Sequence, residues 1–201
     1  MRLVNKMDYT KDIKDYLALE AELLGKLDVM QINEAINLLD EARIKRGNIY
    51  ICGNGGSAAT ASHFQNDFNK GLSEHLEIPF RFCCLNDNTA TIMAIANDIS
   101  YDEIFCFQLR NKLEPNDLLI AISGSGNSKN IIKAAEYAKS KGIKIIGITG
   151  FNGGRLKELA DVLLHAPINS MQVTEDIHMI FDHLMMSMLY RHLCGIEHLK
   201  K

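Results

Sequence analysis

Leu118-Leu119-Ile120-Ala121-Ile122-Ser123-Gly124-Ser125-Gly126-Asn127-Ser128-Lys129-Asn130-Ile131-Ile132 decides how the chain folds. Five apolar residues run without alternation, which predicts a central parallel strand covered on both faces. Gly124 and Gly126 then permit a tight turn, and the next helix begins near Ser128. A helix N-terminus carries free backbone N–H groups and a partial positive charge. Hydroxyls from Ser123, Ser125 and Ser128 add donors, so the stretch reads as a phosphate cradle. A lone serine there would be an ordinary helix cap; three serines and two glycines behind an apolar strand point further.

The same strand–turn–helix pattern occurs upstream. Asn48 to Cys52 reads as a strand, Gly53-Asn54-Gly55-Gly56-Ser57 as a glycine turn, and Ala58 to Phe68 as a helix. The turn lacks the spacing of a dinucleotide fingerprint and the lysine of a P-loop. Further strands are expected at Pro79 to Leu85, Ile143 to Ile148 and Val162 to Leu164. Helices are expected at Asn88 to Asn97, Tyr101 to Leu113, Ser128 to Lys141, a short one ending at Asp161, and a long one from Thr174 to His192. Ahead of them, Asp8 to Arg46 shows helical spacing broken at Gly25 to Asp28, with Asp28 a candidate N-cap. Strands alternating with helices predict an α/β fold, a parallel sheet flanked by helices, with ligands at the strand carboxyl ends where both glycine turns lie. One domain is expected over 1–201, with 1–47 a helical hairpin and 48–201 the α/β core and long final helix.

Composition narrows the function classes. The chain has 201 residues, 47% hydrophobic and 23% charged, with a formal net charge of -3. No bulk basic field invites nucleic acid, so a phosphorylated ligand must rely on a local site. No apolar run reaches the roughly 20 residues that span a bilayer, and the N-terminus has no signal-peptide core. The cytoplasm is the expected compartment, with no membrane partner. Cys52, Cys83, Cys84, Cys106 and Cys194 are odd in number and form no CxxC pair, which argues against a disulfide framework.

Acid–base and metal chemistry has four candidates. His63 and Asp67 are four apart on one helix face. Glu175 and His183 are eight apart on the last helix, about 80° around it, with Asp182 between them. Two histidines and two carboxylates from two helices suit a zinc-type site or an acid–base set. Each also has a structural reading, and Thr174 with Glu175 and Asp176 fits helix-start chemistry.

Taken together, CGNGGS after a strand, the HF-x-x-x-F helix, AND, AISGSGNS, ITG with a following GG, and the long last helix resemble the sugar isomerase (SIS) family. Within it they are most similar to the phosphoheptose isomerases. The resemblance covers nearly the whole chain and implies a flavodoxin-like three-layer single SIS domain, assembled as a homotetramer with sites at subunit boundaries. It implies an aldose–ketose isomerase of sedoheptulose 7-phosphate, serving heptose synthesis for lipopolysaccharide and capsule through an enediol. By the resemblance, Asn54, Gly55, Gly56, Ser57, Asn97, Asp98, Ser123, Gly124, Ser125, Ser128 and Glu175 meet the substrate. His63, Asp67, Glu175 and His183 match its zinc site, with a divalent metal, Zn²⁺, as cofactor, and Asp67 and His183 match its acid–base pair. The chain departs from the family pattern at Asp67 (Glu in the family), Glu175 (Gln), Gly71 (Arg) and Gly124 (Thr). The shorter Asp67 loses about 1.5 Å of reach. The rival expectations are an isomerase of another sugar phosphate, or a non-catalytic SIS protein that binds phosphosugars or assists assembly at the replication initiator. Retention of both histidines and both acids favours the enzyme.

Overall fold

Five strands pair in parallel in the order β2-β1-β3-β4-β5 in the computed structural model, which describes residues 7–110 and 112–195. They are β1 (Ile49–Cys52), β2 (Phe82–Cys84), β3 (Leu118–Ser123), β4 (Lys144–Thr149) and β5 (Val162–His165). This is the flavodoxin-like order, whose switch point lies between β1 and β3. Both glycine turns leave the sheet at that point, so the fold itself brings them side by side.

Alternate side chains build two cores. Ile49 and Ile51, Leu118, Ile120 and Ile122, and Ile146 and Ile148 point to one face. There they meet Leu23 of α1 (Thr10–Leu24), Leu39 of α2 (Val29–Ile44), Phe64 of α3 (Gly56–Asn66) and Phe181 of α8 (Met171–Cys194). Tyr50, Leu119, Ala121 and Ile145 point to the other face. They pack on Ile95 of α4 (Thr89–Asp98), Leu109 of α5 (Cys106–Leu109) and Ile131 and Ala135 of α6 (Lys129–Ser140); Leu156 of α7 (Leu156–Leu159) completes that layer. Burial on both faces explains why β3 reads as an unbroken apolar run.

Asp28 caps α2 as expected, its carboxylate accepting from the backbone N–H groups of Met30 and Gln31. Three local expectations need correction. The helix expected over Tyr101 to Leu113 is broken into a 3₁₀ turn at Tyr101–Glu103 and the short α5. Within α5 the Gln108 side-chain amide donates to the carbonyls of Ile104 and Leu85, tying the segment to the loop after β2. Thr174 does not cap α8. The helix starts at Met171, and Thr174 lies a turn inside it, packed against Gly150. The helix after the first glycine turn does not run evenly to Phe68: α3 passes at Asp67 into a π-helical segment, Asp67–Leu72. Such widened turns have no simple periodic signature and recur at functional sites.

Candidate active site

The first glycine turn and α3 face the serine loop and α6 across a cleft of about 270 Å³. Asn54, Gly55, Gly56, Ser57, Ser123, Gly124, Ser125, Ser128 and Glu175 all line it, together with Met171. Ser123 Oγ donates to Ser128 Oγ at 3.2 Å, and Ser125 Oγ accepts from the Asn127 N–H at 3.2 Å. Ser128 occupies the N-cap of α6 without using its hydroxyl as a cap. Ser128 thus lines the cleft at the N-terminus of α6, the end of a helix that favours an anion.

Two residues that the sequence reading missed fix the first turn. The Asn130 amide, 2% exposed, exchanges a reciprocal pair of hydrogen bonds with Asn54 at 2.8 and 2.9 Å. Tyr101 Oη donates to Asn54 Oδ1 at 2.9 Å. Asn130 stood in the sequence as an unremarked residue of the helix first turn, so only the fold reveals its role. Asn97 and Asp98 do not join the cleft; they close α4, where Asn97 Nδ2 donates to Asp98 Oδ1 at 2.8 Å.

The histidines and acids meet further along the same two helices. His63 Nε2 lies 3.1 Å from His183 Nε2 and 3.3 Å from Asp67 Oδ2. His183 Nε2 lies 3.8 Å from Asp67 Oδ2. The structure thus brings His63, Asp67 and His183 together. The fourth member of the group is Asp182, with Oδ2 at 3.8 Å from His63 Nε2, and not Glu175. The reason is axial. Angle alone puts residues 175 and 183 on one broad face, yet eight residues also advance about 12 Å along a helix. Glu175 therefore lies beside Gly56 at the start of α3, where a Cβ on Gly56 would overlap its carboxylate. A carboxylate is favoured at that helix N-terminus.

Asp182 is completely buried, and neither carboxylate oxygen has a hydrogen-bond partner among the described residues. Burial, and then the charge of Asp67, push it up to about 8. The donor set of two imidazoles and two carboxylates suits a divalent cation. All four donor atoms lie within 4.8 Å of one another, near enough to surround one cation. Cys52, by contrast, is sealed beneath the first turn with its thiol pushed up by burial, and offers no nucleophile.

No helix among the described residues is long and apolar enough to cross a membrane. The SIS domain family model matches residues 9–150. Phosphoheptose isomerase of Helicobacter pylori (strain P12) is 36% identical over 188 residues, covering 89% of this chain and 94% of its own. That of Aliarcobacter butzleri (strain RM4018) is 38% identical over 175 residues, covering 85% and 91%. The solved phosphoheptose isomerase of Neisseria gonorrhoeae superimposes with a TM-score of 0.83 at 28% identity, covering 90% of this chain and 98% of that one. With the family match running from the helical hairpin through β4, and relatives aligned over most of its length, the chain belongs to the SIS domain family and groups there with the phosphoheptose isomerases.

Proposed function

We propose that this protein is a sugar-phosphate aldose–ketose isomerase, with sedoheptulose 7-phosphate as substrate and the aldoheptose 7-phosphate as product. The observation that carries the reading is the meeting of Asp67 and His183 from different helices, with the carboxylate and the imidazole Nε2 3.8 Å apart. The serine-lined cleft supports it. Gly56 meets Glu175 at the near end of α3, and His63 meets Asp182 and His183 seven residues later, about 10 Å along the helix. A heptose phosphate has the same polarity, with its phosphate at one end and its reacting carbons at the other.

In this reading Ser123, Ser125, Ser128 and the N-terminus of α6 hold the phosphate, so that binding energy far from the chemistry positions the reacting carbons. Asn54, Gly55, Gly56, Ser57 and Glu175 align the sugar hydroxyls, with Asn97 and Asp98 contributing across a subunit boundary. Asp67 takes the proton from the carbon beside the ketone while His183 supplies one to the carbonyl oxygen, giving the enediol. The reverse transfers at the neighbouring carbon give the aldose. His63, Asp67 and His183 would hold a divalent metal, zinc in this reading, and when bound it polarises the carbonyl as a Lewis acid.

Incubating the protein with sedoheptulose 7-phosphate in heavy water tests this. The aldose product should form with solvent deuterium on the carbon beside the new carbonyl. His183→Ala should lower turnover by roughly 10²–10⁴ and leave phosphate binding intact. Binding of sugar phosphates without turnover of any would identify a binding protein instead.

A further inference from the structure

We propose that Asp182 is a ligand of a divalent cation in this protein, completing a His63–Asp67–Asp182–His183 site, and that Glu175 is not a ligand. Burying an ionised carboxylate without a partner is costly, and protonating it removes the charge but leaves both oxygens without hydrogen bonds. A cation satisfies both needs at once. The aim of the side chain fits: its Oδ2 faces His63 Nε2 at 3.8 Å, on the side where Asp67 and His183 also converge. All four donor atoms lie within 4.8 Å of one another. His63 and His183 present their Nε2 atoms to each other at 3.1 Å, an arrangement that a shared cation explains as well as a hydrogen bond does.

Helix geometry makes the exchange of ligand intelligible. Glu175 and Asp182 are seven residues apart on α8, so they share one face, two turns apart. Gly56 and His63 are seven apart on α3 in the same sense, which places Glu175 at the glycine turn and Asp182 at the histidine. The short Asp67 fits the same picture, because a fully buried second carboxylate supplies the oxygen donor that a shorter side chain delivers less readily. His183 is the most exposed member, its side chain 56% accessible. With Asp182 present, three other ligands still hold the cation when His183 faces a substrate, the usual number for a catalytic site.

The assignment concerns the same site as the isomerase reading but does not rest on it, since it is read from metal binding alone. Full-length protein stripped by chelator would be titrated with cobalt(II), following the visible d–d absorption, and with zinc(II) by competition. Wild-type protein should bind one equivalent per chain. Asp182→Asn, and Asp182→Leu as a variant that keeps the core filled, should each weaken binding tenfold or more, while Glu175→Ala, which leaves no donor at that position, should change it less than threefold. Circular dichroism of the stripped variants establishes that they fold. Absence of cobalt binding in the wild type, a loss below tenfold in folded Asp182 variants, or a tenfold loss in Glu175→Ala would each overturn the assignment. Tight cobalt binding through Asp182 without sugar turnover would leave it standing and remove the isomerase instead.

Discussion

His178 stands one turn before Asp182 on the inward face of α8, fully buried and facing Thr149 of β4 with His165 nearby on β5. Burial therefore lowers it from 6.5 to about 4, the Thr149 backbone offsetting only part of that. The unfolded chain takes up this proton near pH 6.5 and the folded one only near pH 4. Stability is full above 6.5 and falls as the pH drops through that window, by about 1.4 kcal/mol per unit and about 3 kcal/mol in all. His178→Leu should remove this component. Urea denaturation at pH 7.5 and 4.5 should show the variant losing about 2 kcal/mol less than the wild type; equal losses would mean that the folded protein protonates His178. At this scale the sequence was legible where one element sufficed. The His63–Asp67 pair and the serine loop follow from local spacing, and both were visible. Asp182 was visible only as the neighbour of His183, because its role depends on the register of α8 against α3. Thr174 fits a capping group in the sequence, since nothing local distinguishes a polar residue turned inward from one turned outward.

Among the elements, the two loops after β3 and β4 are locked together, and Gly126 is the lock. Its φ is +66°, and a Cβ there would overlap the Gly153 carbonyl. Around it Gly150 N–H donates to Gly124 O at 2.8 Å and Leu156 N–H donates to Gly126 O at 3.0 Å. Gly142, after α6, has a similar φ of +74° but open space around it. The pair separates two costs. Gly142→Ala should destabilise by about 1–2 kcal/mol, the cost of a left-handed conformation for an L residue. Gly126→Ala carries that cost plus overpacking of about 1–3 kcal/mol, and should also weaken phosphate binding by distorting the serine loop. Thermal denaturation and phosphate titration of both variants would check this; equal destabilisation would mean that the loops part easily. The strand–turn–helix units were the most legible part of the molecule, since β3 and its serines announce themselves by composition. The π turn at Asp67 and the break between Glu103 and Cys106 were not, because neither leaves a mark in the local spacing.

For the whole molecule, two apolar surfaces lie on opposite faces of the sheet. On one, α1 buries only Leu23 and is tied to α8 by the Tyr16–Asp176 hydrogen bond, leaving Ile13 and Leu17 58% and 59% exposed. Val29 and Met30 extend that surface. On the other, Met93, Ile99, Tyr101 and Phe107 stand exposed around α4 and α5. Soluble proteins keep single apolar residues on their surface easily, but clustered ones mark contacts. A closed assembly with two distinct self-complementary interfaces is a dimer of dimers, which agrees with the tetramer that the family resemblance implies. An assembly through α8 would serve the site. His183 opens onto an apolar groove along α8 formed by Ile180, Leu184, Ser187 and Met188, so a neighbouring subunit there would exclude water from the acid–base pair. We expect light scattering to give a mass near four chains at micromolar concentration. Ile13→Glu with Leu17→Glu should reduce that mass while leaving the helical circular dichroism in place, because neither side chain belongs to the core of its own chain. Turnover should fall with the assembly. A wild-type protein that scatters as a monomer would assign the α1 face to some other partner, and a double variant that still forms the full assembly would move the interface away from α1.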